Sequence, residues 1–230
     1  MSGRELQEKF VSYLQLAYPL AEVKERPDST VIFYFINKAV KKLIDSIYKG
    51  ENRTGLGAEG NSYNTEVLRG LISYHSEVPT SGTDNPNSFI ASLPSDYMYP
   101  LSEEVSISAQ DLNNQTVTSR QGVTESNSNT YSQQLKNPYS EHVLHYEKAE
   151  PLRLFSTDTV ELITDGNYTI TNYYLRYYKT PTEIGVDTAE SAIELPSSTH
   201  EDVVELALSL YLRNIGGSRY SEQSEQNNNN

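Results

Sequence analysis

The stretch Tyr168–Leu212, YTITNYYLRYYKTPTEIGVDTAESAIELPSSTHEDVVELALSLYL, changes its period partway along and so decides the fold class. Tyr168–Tyr178 mixes β-branched and aromatic residues as a two-faced strand does. Pro181 follows, then an acidic loop, then the Leu195-Pro196 turn. Beyond it, Val203, Val204, Ala207, Leu210 and Tyr211 recur at helical spacing. A Ser198-to-Glu201 capping box opens this closing helix, and Gly216-Gly217 ends it. One chain thus carries a period-two and a 3.6-period segment in sequence order, which predicts an α+β protein.

Upstream, helix follows helix. Residues 2–18 predict a first helix, with a Ser2–Glu5 capping box and Leu6, Phe10, Leu14 and Ala17 on one face before Pro19. A charged connector runs from Glu22 to Pro27. Asp28 then caps a second helix to about Lys49, with a core stripe of Ile32, Phe35, Ile36, Ala39, Leu43 and Ile47. Lys38, Lys41 and Lys42 lie largely opposite that stripe, and Gly50 ends the helix. A third helix is predicted over Ser62–Tyr74.

Prolines 79, 86, 94 and 100 break up the next stretch, and Val105, Ile107 and Ala109 alternate as a strand. Residues 111–137, rich in Asn, Gln, Ser and Thr, predict a long exposed loop or hairpin tip. Strands are predicted at His142–Lys148, Leu152–Phe155 and Thr159–Ile163. Asp165-Gly166-Asn167 is a candidate hairpin turn into the Tyr168 strand. The expected organisation is a helical base from residues 1–76 and 193–216, a β-rich insertion over 77–192, and a disordered polar tail at 217–230.

Composition narrows the function classes. The chain has 230 residues, 36% of them hydrophobic, with 18 Tyr against 5 Phe, no Cys and no Trp. Its mean hydropathy of −0.60 implies that part of the burial comes from neighbouring subunits. Tyr, apolar with a polar end, suits such interfaces. Without Cys, neither a disulfide framework nor a thiolate metal site can form. A net charge of −13 disfavours gripping nucleic acid but suits a wall past which DNA slides. The N-terminal residues lead straight into an amphipathic pattern, so no secretory signal or membrane span is expected, and a cytoplasmic origin is.

Candidate chemistry is thin. Gly55-Leu56-Gly57-Ala58-Glu59-Gly60 matches GxGxxG, but it leaves a lysine-rich helix where a dinucleotide loop must leave a strand. His142 and His145, with Glu141 and Glu147, would face opposite sides of a strand, and no third metal ligand has the right spacing. Glu103, Glu104, Asp158, Glu161, Asp187 and Glu190 form no acid–base pattern and are expected on a solvated surface. No Gly-x-Ser-x-Gly elbow exists. A non-enzymatic protein is expected, with no cofactor and no metal.

Three stretches together resemble the head-to-tail adaptor (connector, or head-completion) proteins that dock on the portal of tailed bacteriophages. One is Asp28–Val40, with an Asn37-x-Ala39 step in helix two. Another is Leu93-Pro94-Ser95-Asp96-Tyr97, similar to the turn before that family's first strand. The third runs from Tyr173-Tyr-Leu-Arg-Tyr-Tyr-Lys-Thr-Pro181 through Ile193-Glu-Leu-Pro196 to His200–Leu208. The Asn-, Ser- and Tyr-rich style also resembles ring proteins of crAss-like phages. The resemblance implies a virion protein at the head–tail junction, in a homo-oligomeric ring of about twelve copies closed by a heterologous interface. It implies docking on the portal protein, contact with the next ring or a tail protein, and a lumen through which DNA passes unbound. Asn214, Ile215, Arg219 and Tyr220 are the candidate portal-docking residues, and Phe35, Tyr48 and Tyr211 the candidate ring-interface residues. A tail terminator, stopper or decoration protein is the alternative.

Overall fold

The computed structural model describes the chain apart from residues 18–26, 52–56, 59, 61, 83–84, 86, 112, 128, 146 and 229–230, and apart from the side chains of 216–228. Residues 22–26 of the expected connector, half of the Gly55–Gly60 loop and the side chains of the expected tail therefore lie outside the described residues. The chain divides into two compact units, one of residues 1–71 and 180–230, the other of 72–179. The class is α+β.

The first unit is helical. Helix α1, Gly3–Ala17, buries Leu6, Phe10 and Leu14, while Ala17, expected on the same face, is exposed. Its capping box is complete: the Ser2 N–H donates to Glu5 Oε2 at 2.8 Å, and the Glu5 N–H to Ser2 Oγ at 3.3 Å. Helix α2, Ser29–Tyr48, buries Ile32, Phe33, Phe35, Ile36, Ala39, Val40, Ile44 and Ile47. This stripe is wider than expected and rotated slightly, so Ile44 is buried and Leu43 only half-buried. Asp28 holds the N-cap position with extended backbone but makes no side-chain capping bond. Gly50 takes φ +74° past the C-terminus, the left-handed turn that glycine adopts without Cβ strain.

The third helix is shorter than predicted. Helix α3, Ser62–Leu68, tightens into a 3-10 turn at Arg69–Leu71, and Ile72 already begins a strand. Its apolar residues Val67, Leu68 and Leu71 allow a helix, but Ile72–Glu77 find a strand partner, and tertiary pairing overrides the local pattern. At the far end of the unit, a 3-10 turn at Ser197–Thr199 precedes helix α5, His200–Asn228. Glu201 bonds Lys9 Nζ at 2.6 Å rather than closing the capping box expected with Ser198. Nor does α5 stop at Gly216-Gly217, because a glycine pair weakens a helix without forbidding it. Val203, Val204 and Ala207 are fully buried and Tyr211 nearly so. Tyr211 packs edge-on to Phe10 at 5.7 Å and to Phe35 at 5.4 Å, binding α1, α2 and α5 through one aromatic cluster.

The second unit is a pair of sheets. Among the described residues, one has the order β1-β9-β4-β5, using β1 Ile72–Glu77, β4 Tyr97–Gln110, β5 Thr116–Gly122 and β9 Tyr168–Lys179, every neighbour antiparallel. The other has the order β2-β3-β8-β7-β6, from β2 Thr80–Ser81, β3 Ser88–Ser92, β6 Thr124–Glu125, β7 Leu152–Phe155 and β8 Thr159–Ile163. The core joins Val105, Ile107, Tyr173 and Leu175 of the first sheet to Ala91, Val160 and Leu162 of the second. Alternation in β4 and β9 sends one residue in two toward that core.

Three expectations about this unit are corrected. Residues 111–137, expected as a long exposed loop or a hairpin tip, hold a hairpin tip only at Asp111–Gln115, where β5 folds back on β4, and a short helix α4, Tyr131–Lys136, follows. Asp111 anchors the turn, its carboxylate accepting from the Asn113 and Gln115 N–H groups, which holds its pKa below the usual range. The strand predicted at His142–Lys148 is instead a 3-10 turn, Glu141–Val143. And Asp165-Gly166-Asn167 is not a hairpin turn. Gly166 does take φ +88°, but β8 and β9 belong to different sheets, so the turn carries the chain from one to the other. A two-residue turn signal reports the bend, not the partner.

Candidate assembly interface

The residues that carry the three quoted motifs prove to be joints of the fold. Asn37 of α2 clasps the segment after Pro181: its Nδ2 donates to the Ile184 carbonyl at 2.8 Å, and the Ile184 N–H donates to its Oδ1 at 3.0 Å. A primary amide can satisfy one backbone residue on both sides in this way, which explains Asn in this place. Ala39 is fully buried. Beside the clasp, Lys41 pairs with Glu183 at 2.6 Å, and Lys38 Nζ lies 5.6 Å from the centre of the Tyr34 ring.

The Leu93–Tyr97 turn is closed by the Tyr97 N–H donating to the Pro94 carbonyl at 3.0 Å. Asp96 accepts the Tyr177 hydroxyl at 2.8 Å, and Tyr97 packs against Tyr177 and Phe155. In the third stretch, Tyr173 and Tyr178 are fully buried, and His200 is held by Nε2 bonding the Leu195 carbonyl at 2.9 Å. Burial lowers the His200 pKa.

The β unit hides a charge cluster that the sequence did not reveal. Glu103 was expected in solvent; its side chain is instead only 8% exposed, and both its oxygens are taken. Arg153 Nη1 donates to Oε2, and the Tyr173 hydroxyl donates to Oε1 at 2.5 Å. Arg153 Nη2 also reaches Glu125 at 2.9 Å, and its guanidinium lies 4.1 Å from the Phe155 ring centre. Arg153 and Glu103 expose only 6% and 8% of their side chains, so the pair ties β7 of one sheet to β4 of the other away from water. Burial, and the Glu103 carboxylate beside it, push the Tyr173 hydroxyl well above the usual tyrosine range. No signal for it was present in the sequence, because in an alternating strand an Arg between Leu152 and Leu154 faces the opposite side from them, ordinarily toward solvent.

Other candidates fall apart in space. His142 is buried with its pKa lowered by desolvation, whereas His145 is exposed near Glu147 at 3.8 Å. Among the described residues no group of three or more His, Cys, Asp or Glu could hold a metal ion. Nor is any described helix long and apolar enough to cross a membrane. Of the candidate ring-interface residues, Phe35 and Tyr211 lie in the aromatic cluster of the helical unit, and Tyr48 is half-buried at the end of α2. Asn214 is exposed and Ile215 half-buried, while the side chains of Arg219 and Tyr220 lie outside the described residues.

An open groove of about 450 Å³ lies on the helical unit between α2 and the 183–186 segment. Phe33 forms part of its wall, with exposed Tyr34 and Val186 and the aliphatic stems of Lys38 and Lys41 around it. Residues 25–220 match the family model for phage tail ring protein 3/4. The chain belongs to this family of ring proteins of crAss-like phages and is a structural subunit of the virion. No curated protein matches it.

Proposed function

We propose that copies of this chain, about twelve, close a ring at the head–tail junction that docks on the portal, extends the DNA channel and links head to tail. What carries the reading is where the adaptor-like motifs fall. The Asn37–Ile184 clasp, the Asp96–Tyr177 bond and the His200–Leu195 bond are the joints of both units, so the likeness to portal-docking adaptors extends over the scaffold of the chain. The net charge of −13 supports a lumen that repels the duplex and lets it slide. The C-terminal segment with Asn214, Ile215, Arg219 and Tyr220 is the portal-docking part. Phe35 and Tyr211 support the ring face from within by fixing α2, and Tyr48 borders it.

A second reading has its own support, since the matching family is described as a tail ring. In that reading the ring stacks on another ring of the neck or tail and never touches the portal. Mixing the purified chain with its phage's portal and imaging by electron microscopy separates the two. Rings seated on the portal support docking. Rings that form but ignore the portal turn the assignment to the tail side.

A further inference from the structure

The two sheets of the β unit treat their edges in opposite ways. The five-stranded sheet ends in β2 and β6, each only two residues long. Very short edge strands are a common protection against unwanted strand pairing. The four-stranded sheet ends in β1, with six residues, and β5, with seven. Neither contains Pro or Lys. Each runs in unbroken register with its inner neighbour, Ile72–Glu77 on β9 and Thr116–Gly122 on β4. The irregularities fall instead between the two central strands, where β4 and β9 shift register three times. A bulge blunts an edge, and here the bulges sit where no edge needs blunting.

Direction adds a second constraint. With all neighbours antiparallel and four strands in the sheet, β1 and β5 run in opposite directions. In a ring of many copies the rotation between neighbours is small, so the next copy's β1 runs nearly as this copy's does. It therefore meets β5 antiparallel, and the alternation continues without interruption from subunit to subunit. A β1–β5 contact joins two different surfaces, as ring closure requires.

We infer that β5 of each subunit pairs with β1 of the next, so that the four-stranded sheets join into one continuous sheet around the ring. The occupant of each open edge is a second copy of this chain, and the main-chain N–H and C=O groups supply the contact. The inference rests on this family's ring assembly, and not on portal docking.

The chain has no cysteine, so introduced pairs report only on themselves. Within one subunit β1 and β5 are three strand spacings apart, about 14 Å, which excludes an internal disulfide. Tyr74, Ser76, Thr116 and Thr118 are exposed. The double variants Thr118→Cys with Tyr74→Cys, Thr118→Cys with Ser76→Cys, and Thr116→Cys with Tyr74→Cys sample three registers. After mild oxidation of assembled rings, one register should give a ladder of covalent multimers on a non-reducing gel, while the single variants stay monomeric. Hydrogen exchange on the unmodified chain gives an independent check: amides of 72–76 and 116–120 should exchange at least tenfold more slowly in rings than in free subunits. Rings that show neither ladder nor protection overturn edge pairing and leave the ring reading intact. Dimers from Thr118→Cys alone mean that β5 pairs with itself, which also overturns it. If the unmodified chain forms no ring, alone or on the portal, the ring reading fails and edge pairing with it.

Discussion

The helical unit and the β unit solve the same problem, the burial of a core, with different materials. In the helical unit α1, α2 and α5 satisfy their own backbones, so what remains is to pack apolar faces. Phe10, Phe35 and Tyr211 do so with edge-on aromatic contacts. In the β unit the local hairpins β4–β5 and β7–β8 are assembled by pairings distant in sequence, β1 and β4 with β9 and β3 with β8, and the two sheets are further tied by the Arg153–Glu103–Tyr173 cluster. The difference teaches where each unit is fragile. Helix packing degrades gradually as contact area is lost. A buried ion pair fails at once, because removing one partner strands the other charge in a poor solvent.

The sharpest way to break the comparison is at Arg153. Arg153→Ala should destabilise the β unit by about 3–5 kcal/mol, read by urea unfolding, with hydrogen-exchange protection lost in 72–179. Replacing both partners, Arg153→Met with Glu103→Leu, should recover most of that loss. If the double variant is as weak as the single, uncompensated charge is not the cause.

Tyr211→Ala tests the other unit. Its expected cost is about 3 kcal/mol, from an aromatic ring removed between Phe10 and Phe35. Exchange should then rise in α1, α2 and α5, and Tyr211→Phe should restore nearly all of the protection. A smaller effect comes from Asn37→Ala, expected to cost about 1–3 kcal/mol by leaving the Ile184 backbone groups without their side-chain partner. Its signature is faster exchange at the Ile184 amide ahead of the rest of the helical unit.

Acid should affect both units. Burial lowers the pKa of His142 in the β unit and of His200 in the helical unit. Above about pH 6.5 these histidines are neutral folded or unfolded and do not bias stability. As the pH falls through 6.5 toward the lowered folded values, the unfolded chain takes up protons first and stability drops. Melting temperatures measured from pH 7.5 to 5 should fall, and His142→Gln should flatten the part belonging to the β unit. The smallest effect is expected from Ser2→Ala, about 0.5–1 kcal/mol through loss of the α1 capping box.

Legibility followed the range of the interaction. The α1 capping box, the α2 stripe and the strands at Leu152–Phe155 and Thr159–Ile163 could all be read from the sequence, because their signals lie within a few residues. Ser198–Glu201 has the same capping pattern, yet Glu201 goes to Lys9, a competitor 192 residues away. Ile72–Tyr74 read as helix until β9 claimed it, and the Asp165–Asn167 turn was visible while the sheet it led to was not.

The sequence alone determined the class of the protein, its order of helix and strand, its acidic and cysteine-free character, and the motifs that resemble phage ring proteins. These depend on composition and on spacing along one chain. Only the tertiary structure decided that the Glu103 side chain packs against Arg153, that Asn37 clasps Ile184, and that one sheet ends in strands of six and seven residues while the other ends in strands of two. Each of these is a meeting of residues 50 or more positions apart or a property of strand order, and neither pattern nor propensity along the chain encodes which distant group will be the partner.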